Sequence, residues 1–253
     1  MRQWTILAVC VLAVGALGGA AQADDIAEQG RTIFEANKAS VITLRAVVSI
    51  SSGGNERESE HEANATVIDP SGVAVLSLTV IDPTALYESF REGPSEMTSK
   101  VVSLAMIFED GTEVPGEVVL RDKDLDLAFV RPTQPLDEPV QSVDIANPGE
   151  PQLLEQLVIL LQLGKVARRA HSVMIERVET IIDKPRTFYT IGDDRARAIV
   201  CSPAFTLDGK FVGIGVMRSI KGSGRGDMGD NILVVIVPAS DIQEGMAQVP
   251  ARE

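Results

Sequence analysis

Few side chains in this chain are able to do acid–base or covalent chemistry. There are two histidines, His61 and His171, and two cysteines, Cys10 and Cys201. An imidazole beside a thiol or hydroxyl is the usual apparatus of acyl transfer, because it takes up the nucleophile's proton near neutral pH. A pairing of His61 with Cys201 is imaginable, but nothing in their spacing supports it, and a lone cysteine is commonly a buried, inert small hydrophobe. His171 follows Lys165-Val166-Ala167-Arg168-Arg169, a basic cluster in an acidic chain that reads as a solvated strand edge, with a local acidic partner as the alternative. No Cys/His cluster has zinc-ligand spacing. The carboxylates of Asp122-Lys123-Asp124-Leu125-Asp126 alternate but lack the glycine and distant glutamate of a calcium loop. No phosphate-cradling G-x-x-x-x-G-K-[ST] occurs. Neither a metal nor a cofactor is expected.

The elements that must position these residues follow a leader. Arg2 supplies a short positive region, Ile6–Ala20 is apolar, and Ala21-Gln22-Ala23 has the small-x-small form of a cleavage site. The apolar run is shorter than the roughly 20 residues a bilayer core needs, and Cys10 lies mid-run rather than at its end as a lipidation site would. Residues 1–23 therefore read as a signal peptide, and the protein is expected to be periplasmic or secreted, with no membrane insertion after cleavage. Cleavage leaves about 230 residues and one thiol, so stability must come from an apolar core rather than an internal disulfide. A net charge of −13 argues against nucleic acid or anionic membrane as partners.

Residues 24–39 read as an amphipathic helix, with Ile26, Ile33, Phe34 and Ala36 at helical spacing. Short β-rich runs follow: Val41–Ile50, Ala65–Ile68, Val73–Leu78, Val101–Phe108, Val114–Leu120 and Leu125–Val130, with His61 in a polar loop between the first two. The exception is Asp82–Arg91, which reads as a short helix with Pro83 at its first position. Five prolines mark 132–150 and its border at Pro151 as a linker. Strands then resume at Leu157–Leu163, Val173–Ile182 and Thr187–Ile191. They lead to a hairpin about Asp208-Gly209, a glycine-rich loop Lys221–Asp230, a strand Asn231–Val237 and a capped helix Ser240–Val249. The Arg225-Gly226-Asp227 tripeptide reads as part of a solvated flexible loop.

One stretch is more specific. Ala198–Gly215 reads A-I-V-C-S-P-A-F-T-L-D-G-K-F-V-G-I-G. It resembles the nucleophile segment of trypsin-like serine proteases of the HtrA branch, where G-N-S-G-G-P precedes such a hairpin. Other anchors fall in the family's order: Ile68-Asp69-Pro70-Ser71-Gly72, Leu76–Ile81, Asp110-Gly111 through Val119, Leu125–Val130, and Gly213-Ile214-Gly215 with Val234–Pro238. The resemblance implies an all-β fold of two antiparallel β-barrels, residues 40–131 and 151–238, with short helices before and after (239–253). The chain stops where the family would continue into a PDZ domain.

Carried over residue by residue, the resemblance places the base at Thr79, the aspartate at Asp126 and the nucleophile at Val200. A threonine hydroxyl lacks the basicity of an imidazole, and an isopropyl group cannot attack a carbonyl. Asp126, with no imidazole to orient, is expected to be a strand-end or partly exposed carboxylate satisfied by backbone N–H groups. Ala198, Cys201 and Ser202 stand where family glycines shape the oxyanion loop, and each carries a Cβ that resists positive φ. Gly213, Gly215 and Val235 stand for walls of the specificity pocket. The implied protein is an exported, catalytically inactive homologue that binds an extended polypeptide or protein partner. The alternative is a hydrolase with an unorthodox site using Cys201.

Overall fold

The computed structural model describes residues 25–84, 86, 97–219 and 232–252. The leader, most of the helix expected at Asp82–Arg91, and the whole Lys221–Asp230 loop lie outside them.

Helix α1 (25–37) opens the described chain and runs into a 3-10 turn, Lys38–Ser40. Six strands then form a closed antiparallel barrel in the order β1-β2-β3-β6-β5-β4. They are β1 (Val41–Ser52), β2 (Asn55–Val67), β3 (Ala74–Ser77), β4 (Thr98–Ile107), β5 (Glu113–Asp122) and β6 (Leu127–Pro132). β1 closes the ring by pairing with β2 on one side and β4 on the other. The span read as a polar loop around His61 is instead the first ten residues of β2. Gly53 and Gly54, both at positive φ, make the two-residue turn that folds them back along β1.

Residues 133–155 carry no strand but are tied down: the Val143 N–H donates to the Val67 carbonyl at 2.9 Å and the Gly149 N–H to that of Phe211 at 2.8 Å. The second sheet has seven strands in the order β8-β7-β11-β12-β13-β10-β9. They are β7 (Gln156–Gln162), β8 (His171–Arg177), β9 (Thr180–Ile182), β10 (Phe188–Thr190), β11 (Pro203–Thr206), β12 (Phe211–Ser219) and β13 (Ile232–Pro238). Its edges β8 and β9 are consecutive in the chain, so the run expected as one strand, Val173–Ile182, is broken at Val178-Glu179. At that corner the Val178 N–H turns to Glu155 and the Glu179 N–H to Thr190. Between β10 and β11 lie a short helix α2 (Asp193–Ala196) and a 3-10 turn, Arg197–Ile199. The terminal helix α3 spans Ala239–Met246, shorter than the span Ser240–Val249, and Pro238 stands at its N-cap without a side-chain cap.

Alternation explains why some strands are apolar throughout. In β6, Ala128 and Val130 fill the first barrel, while Leu127 and Phe129 face a second core shared with the other barrel. In β7, Leu157 and Ile159 fill the second barrel and Val158 and Leu160 face that shared core. A strand buried on both faces reads as a continuous apolar run. The shared core, which also takes Ile33 of α1 and Ile242 of α3, holds the barrels side by side.

Candidate functional site

Asp126 lies just before β6, at φ +56, a left-handed conformation that aspartate tolerates better than most residues. Its carboxylate collects four donors. Ser77 Oγ and Thr79 Oγ1 (2.8 Å) donate from the end of β3 and the 3-10 turn Leu78–Val80 that follows. The backbone N–H groups of Thr79 (2.8 Å) and Met217 (3.2 Å) complete the set. Met217 belongs to β12, so one carboxylate fastens the first barrel to the second. Of the two expected settings the strand end is observed and partial exposure is not, since Asp126 is only 9% exposed, and two hydroxyls join the expected backbone N–H groups. Burial pushes its pKa above the ordinary carboxylate value, and the four hydrogen bonds only partly offset that. Two of the donors, Ser77 and Met217, were not singled out from the sequence. Ser77 stands two residues before Thr79, on the strand end that must face the carboxylate.

Thr79 is therefore in contact with Asp126, and its hydroxyl is committed as a donor to it. Val200 is half-buried and joins Gly215 in an isolated parallel bridge. Thr79 and Val200 line one cleft of about 650 Å³, together with Ile50, Arg57, His61 and Pro83. The three positions singled out for a triad thus meet at one site, with Thr79 linking Asp126 to the cleft.

The loop carrying Val200 does something the sequence did not foretell. Cys201, which also borders the cleft, takes φ +66 despite its Cβ and joins the core of the first barrel. It is fully buried. Its Sγ accepts the Ser77 N–H at 3.2 Å, its own N–H donates to Gly215 at 2.7 Å, and Thr66 Oγ1 donates to its carbonyl at 3.3 Å. Burial raises its thiol to about 12, so it holds its proton at any physiological pH. His61 is exposed and bonded to Ser59 Oγ at 2.8 Å. Ser202 is buried, its N–H given to Ile199 at 2.9 Å. Ala198 is exposed in the 3-10 turn Arg197–Ile199.

Gly213, Gly215 and Val235 are all buried within the second sheet rather than on a wall of the cleft. A Cβ on Gly215 would stand 2.2 Å from the Ile199 carbonyl oxygen, and one on Gly213, at φ +150, 1.8 Å from that of Val237. Val235 faces the core shared by the barrels. The space beside Gly215 is taken by the Ile199–Ser202 loop.

The basic cluster finds its acidic partner within the chain. Lys165 and Arg169 bond Glu62 at 3.2 and 2.7 Å, and Lys165 reaches Glu60 at 3.5 Å. Burial favours the neutral form of Glu62, but Arg169 and Lys165 outweigh it and hold its pKa below the ordinary value. His171 donates to the Val41 carbonyl at 3.2 Å. The Asn64 side chain, oriented to satisfy both its ends, pairs with the Gln162 carbonyl (3.0 Å) and N–H (3.2 Å). The β7–β8 turn is thus docked on β1 and β2 rather than solvated. A groove of about 670 Å³ between Pro135–Pro139 and the C-terminal segment lies apart from these residues, and no titratable cluster of the site reaches it. Among the described residues no group of His, Cys, Asp and Glu is arranged to hold a metal ion.

No protein-family model and no curated protein matches this chain. Among solved structures, the MamO protease domain from Magnetospirillum magneticum, in its apo form, superposes with a TM-score of 0.54. The two share 14% identity over 83% of this chain and 97% of that one. The fold is trypsin-like. The six-stranded barrel and the half-barrel sheet, with short helices at either end, are the two halves of that fold, and the cleft lies between them.

Proposed function

We propose that this chain is an exported, catalytically inactive homologue of the HtrA branch of trypsin-like proteases, and that it binds extended polypeptide in the cleft between its barrels. The observation that carries this reading is the placement of the Val200–Ser202 loop. Val200 offers the cleft an isopropyl group, and the neighbouring thiol is sequestered in the first-barrel core with its proton held. Thr79, at the place of the base, spends its hydroxyl on Asp126. Hydrolysis through Cys201 would need a thiolate facing the cleft and an imidazole against it. The buried sulfur and the exposed His61 offer neither. The cleft has apolar lining at Ile50, Val80, Pro83 and Val200 and, among the described residues, lies beside a strand edge with which no strand pairs, which suffices for peptide recognition without a nucleophile.

The purified protein is expected to show no peptidase turnover and no labelling by fluorophosphonates. It should bind a permanently unfolded polypeptide, reduced and carboxymethylated α-lactalbumin, in a fluorescence-anisotropy titration. Val200→Arg, which puts a solvated charge on the cleft floor, should weaken that binding at least tenfold while the protein stays folded. Turnover abolished by Cys201→Ala would overturn the reading.

A further inference from the structure

Among the described residues, no strand occupies one side of the cleft. The turn at Gly53-Gly54 is a two-residue one, so its flanking pair, Ser52 and Asn55, exchanges hydrogen bonds, and so does every second pair beyond it. Arg57, Ser59 and His61 therefore spend their main-chain groups on β1. Those of Glu58, Glu60 and Glu62 point to the opposite edge. β3 occupies that edge only at Thr66 and Val67 before turning away to meet Cys201 and Asp126. Among the described residues no strand pairs with β2 from Asn55 to Ala65 on that side. The edge β3 vacates borders the 650 Å³ cleft.

The two faces of this edge differ in chemistry. Arg57, Ser59 and His61 stand opposite Ile50, Val48 and Ala46 in register; the first three and Ile50 line the cleft with Val80, Pro83 and Val200, while Val48 and Ala46 continue the same face into the first-barrel core. The alternate face carries Glu56, Glu58 and Glu60, all exposed, and then Glu62, which also borders the cleft. This row already attracts cations from beyond its own sheet, since Lys165 and Arg169 of the second barrel close on Glu60 and Glu62. A strand added along β2 would lay its own side chains alternately over the acidic row and over the apolar floor.

We infer that the vacated edge of β2 takes an extended polypeptide as an added strand, and that it selects segments in which basic side chains alternate with apolar ones. The inference rests on the polypeptide-binding reading and specifies its ligand. Cross-strand opposite charges favour that register, and like charges oppose the acidic one. An unpaired edge supplies affinity from the main chain, and the alternation supplies the selection.

The test uses three labelled nonapeptides: lysine alternating with valine, glutamate alternating with valine, and the lysine composition rearranged into one lysine block and one valine block. The purified protein is expected to bind the alternating lysine peptide at least tenfold more tightly than either of the others. Glu60→Pro deletes an outward N–H without removing a bond to β1, and should weaken that peptide about tenfold. The double variant Glu58→Lys, Glu60→Lys should reverse the preference between the lysine and glutamate peptides, and carries the test should Glu60→Pro fail to fold. If unfolded α-lactalbumin binds and Val200→Arg blocks it, yet the peptides ignore both β2 variants, the edge assignment falls and polypeptide binding stands. If nothing unfolded binds at all, both fall together.

Discussion

The two walls of the cleft have been built on opposite principles. On the first-barrel side a polar network persists around Asp126, with two hydroxyls and two backbone N–H groups converging on a buried carboxylate. On the second-barrel side the loop Ile199–Ser202 has become packing: Ile199 and Cys201 are buried, and Val200 presents hydrocarbon. A buried carboxylate with four donors is hard to give up piecemeal, because deleting one partner strands the others. The facing loop holds no such carboxylate and contributes packing. The difference shows that a buried polar centre can fasten one sheet to the other while the wall opposite it is hydrocarbon.

The largest effect should come from the polar wall. Asp126→Ala leaves the Ser77 and Thr79 hydroxyls and two amides without their acceptor and should cost about 3 kcal/mol in urea unfolding. Asp126→Asn keeps the shape and should cost less. A loss below about 1 kcal/mol for the alanine variant would break the comparison, since the network would then be an ornament.

The packed wall should respond next. Gly215→Ala forces a methyl group against the Ile199 carbonyl, which is backbone and cannot swing aside; a loss of about 2 kcal/mol is expected, in the range of overpacked cores. Native Cys201 should resist iodoacetamide at pH 8 and react only on unfolding, in step with its thiol's rise to about 12. Rapid labelling of the folded protein would place the sulfur outside the core.

The pH dependence sharpens the contrast further. Asp126 has a raised pKa, so the folded state holds its proton more tightly than the unfolded one. Its contribution to stability is fully present below the ordinary carboxylate value of 3.8 and declines as pH rises through the folded pKa. Glu62, with its pKa lowered, works the other way and loses its contribution as pH falls. The stability difference between wild type and Asp126→Asn should therefore shift against wild type as pH rises above 3.8. A difference that does not vary between pH 3 and 7 would contradict the desolvated carboxylate. The smallest effect belongs to the rim: Lys165→Ala removes a half-exposed ion pair and should cost about 0.5 kcal/mol.

Much of the architecture was legible because apolar periodicity and turn chemistry agreed. The Asp208-Gly209 hairpin and the doubly buried runs Leu127–Val130 and Leu157–Leu161 needed only alternation and length. The order of the anchors put Thr79, Asp126 and Val200 in one neighbourhood, where Thr79 bonds Asp126 and shares the cleft lining with Val200. β2 was misread because its signal is carried by charge: Glu56, Glu58, Glu60 and Glu62 recur at period two, but the intervening residues are polar as well, so no apolar face announces a strand. At Cys201 the burial common to a lone thiol is observed, whereas its positive φ was not expected. A Cβ does resist positive φ, but burying the thiol and satisfying three hydrogen bonds outweigh a local penalty of about 1–3 kcal/mol. Such a trade depends on residues far apart in sequence, Thr66 and Ser77 with Gly215, and no local rule contains it.

The seating of Cys201 inside the neighbouring barrel also bears on how the molecule moves. A hinge opening between the barrels would draw a fully buried side chain out of one core and its neighbour Ile199 out of the other, while tearing Asp126 from Met217. The cleft therefore has a fixed gauge. On the proposed polypeptide binding, such a cleft would not close on its ligand; the ligand would straighten to enter, and the entropy lost would fall on the guest and not on the host.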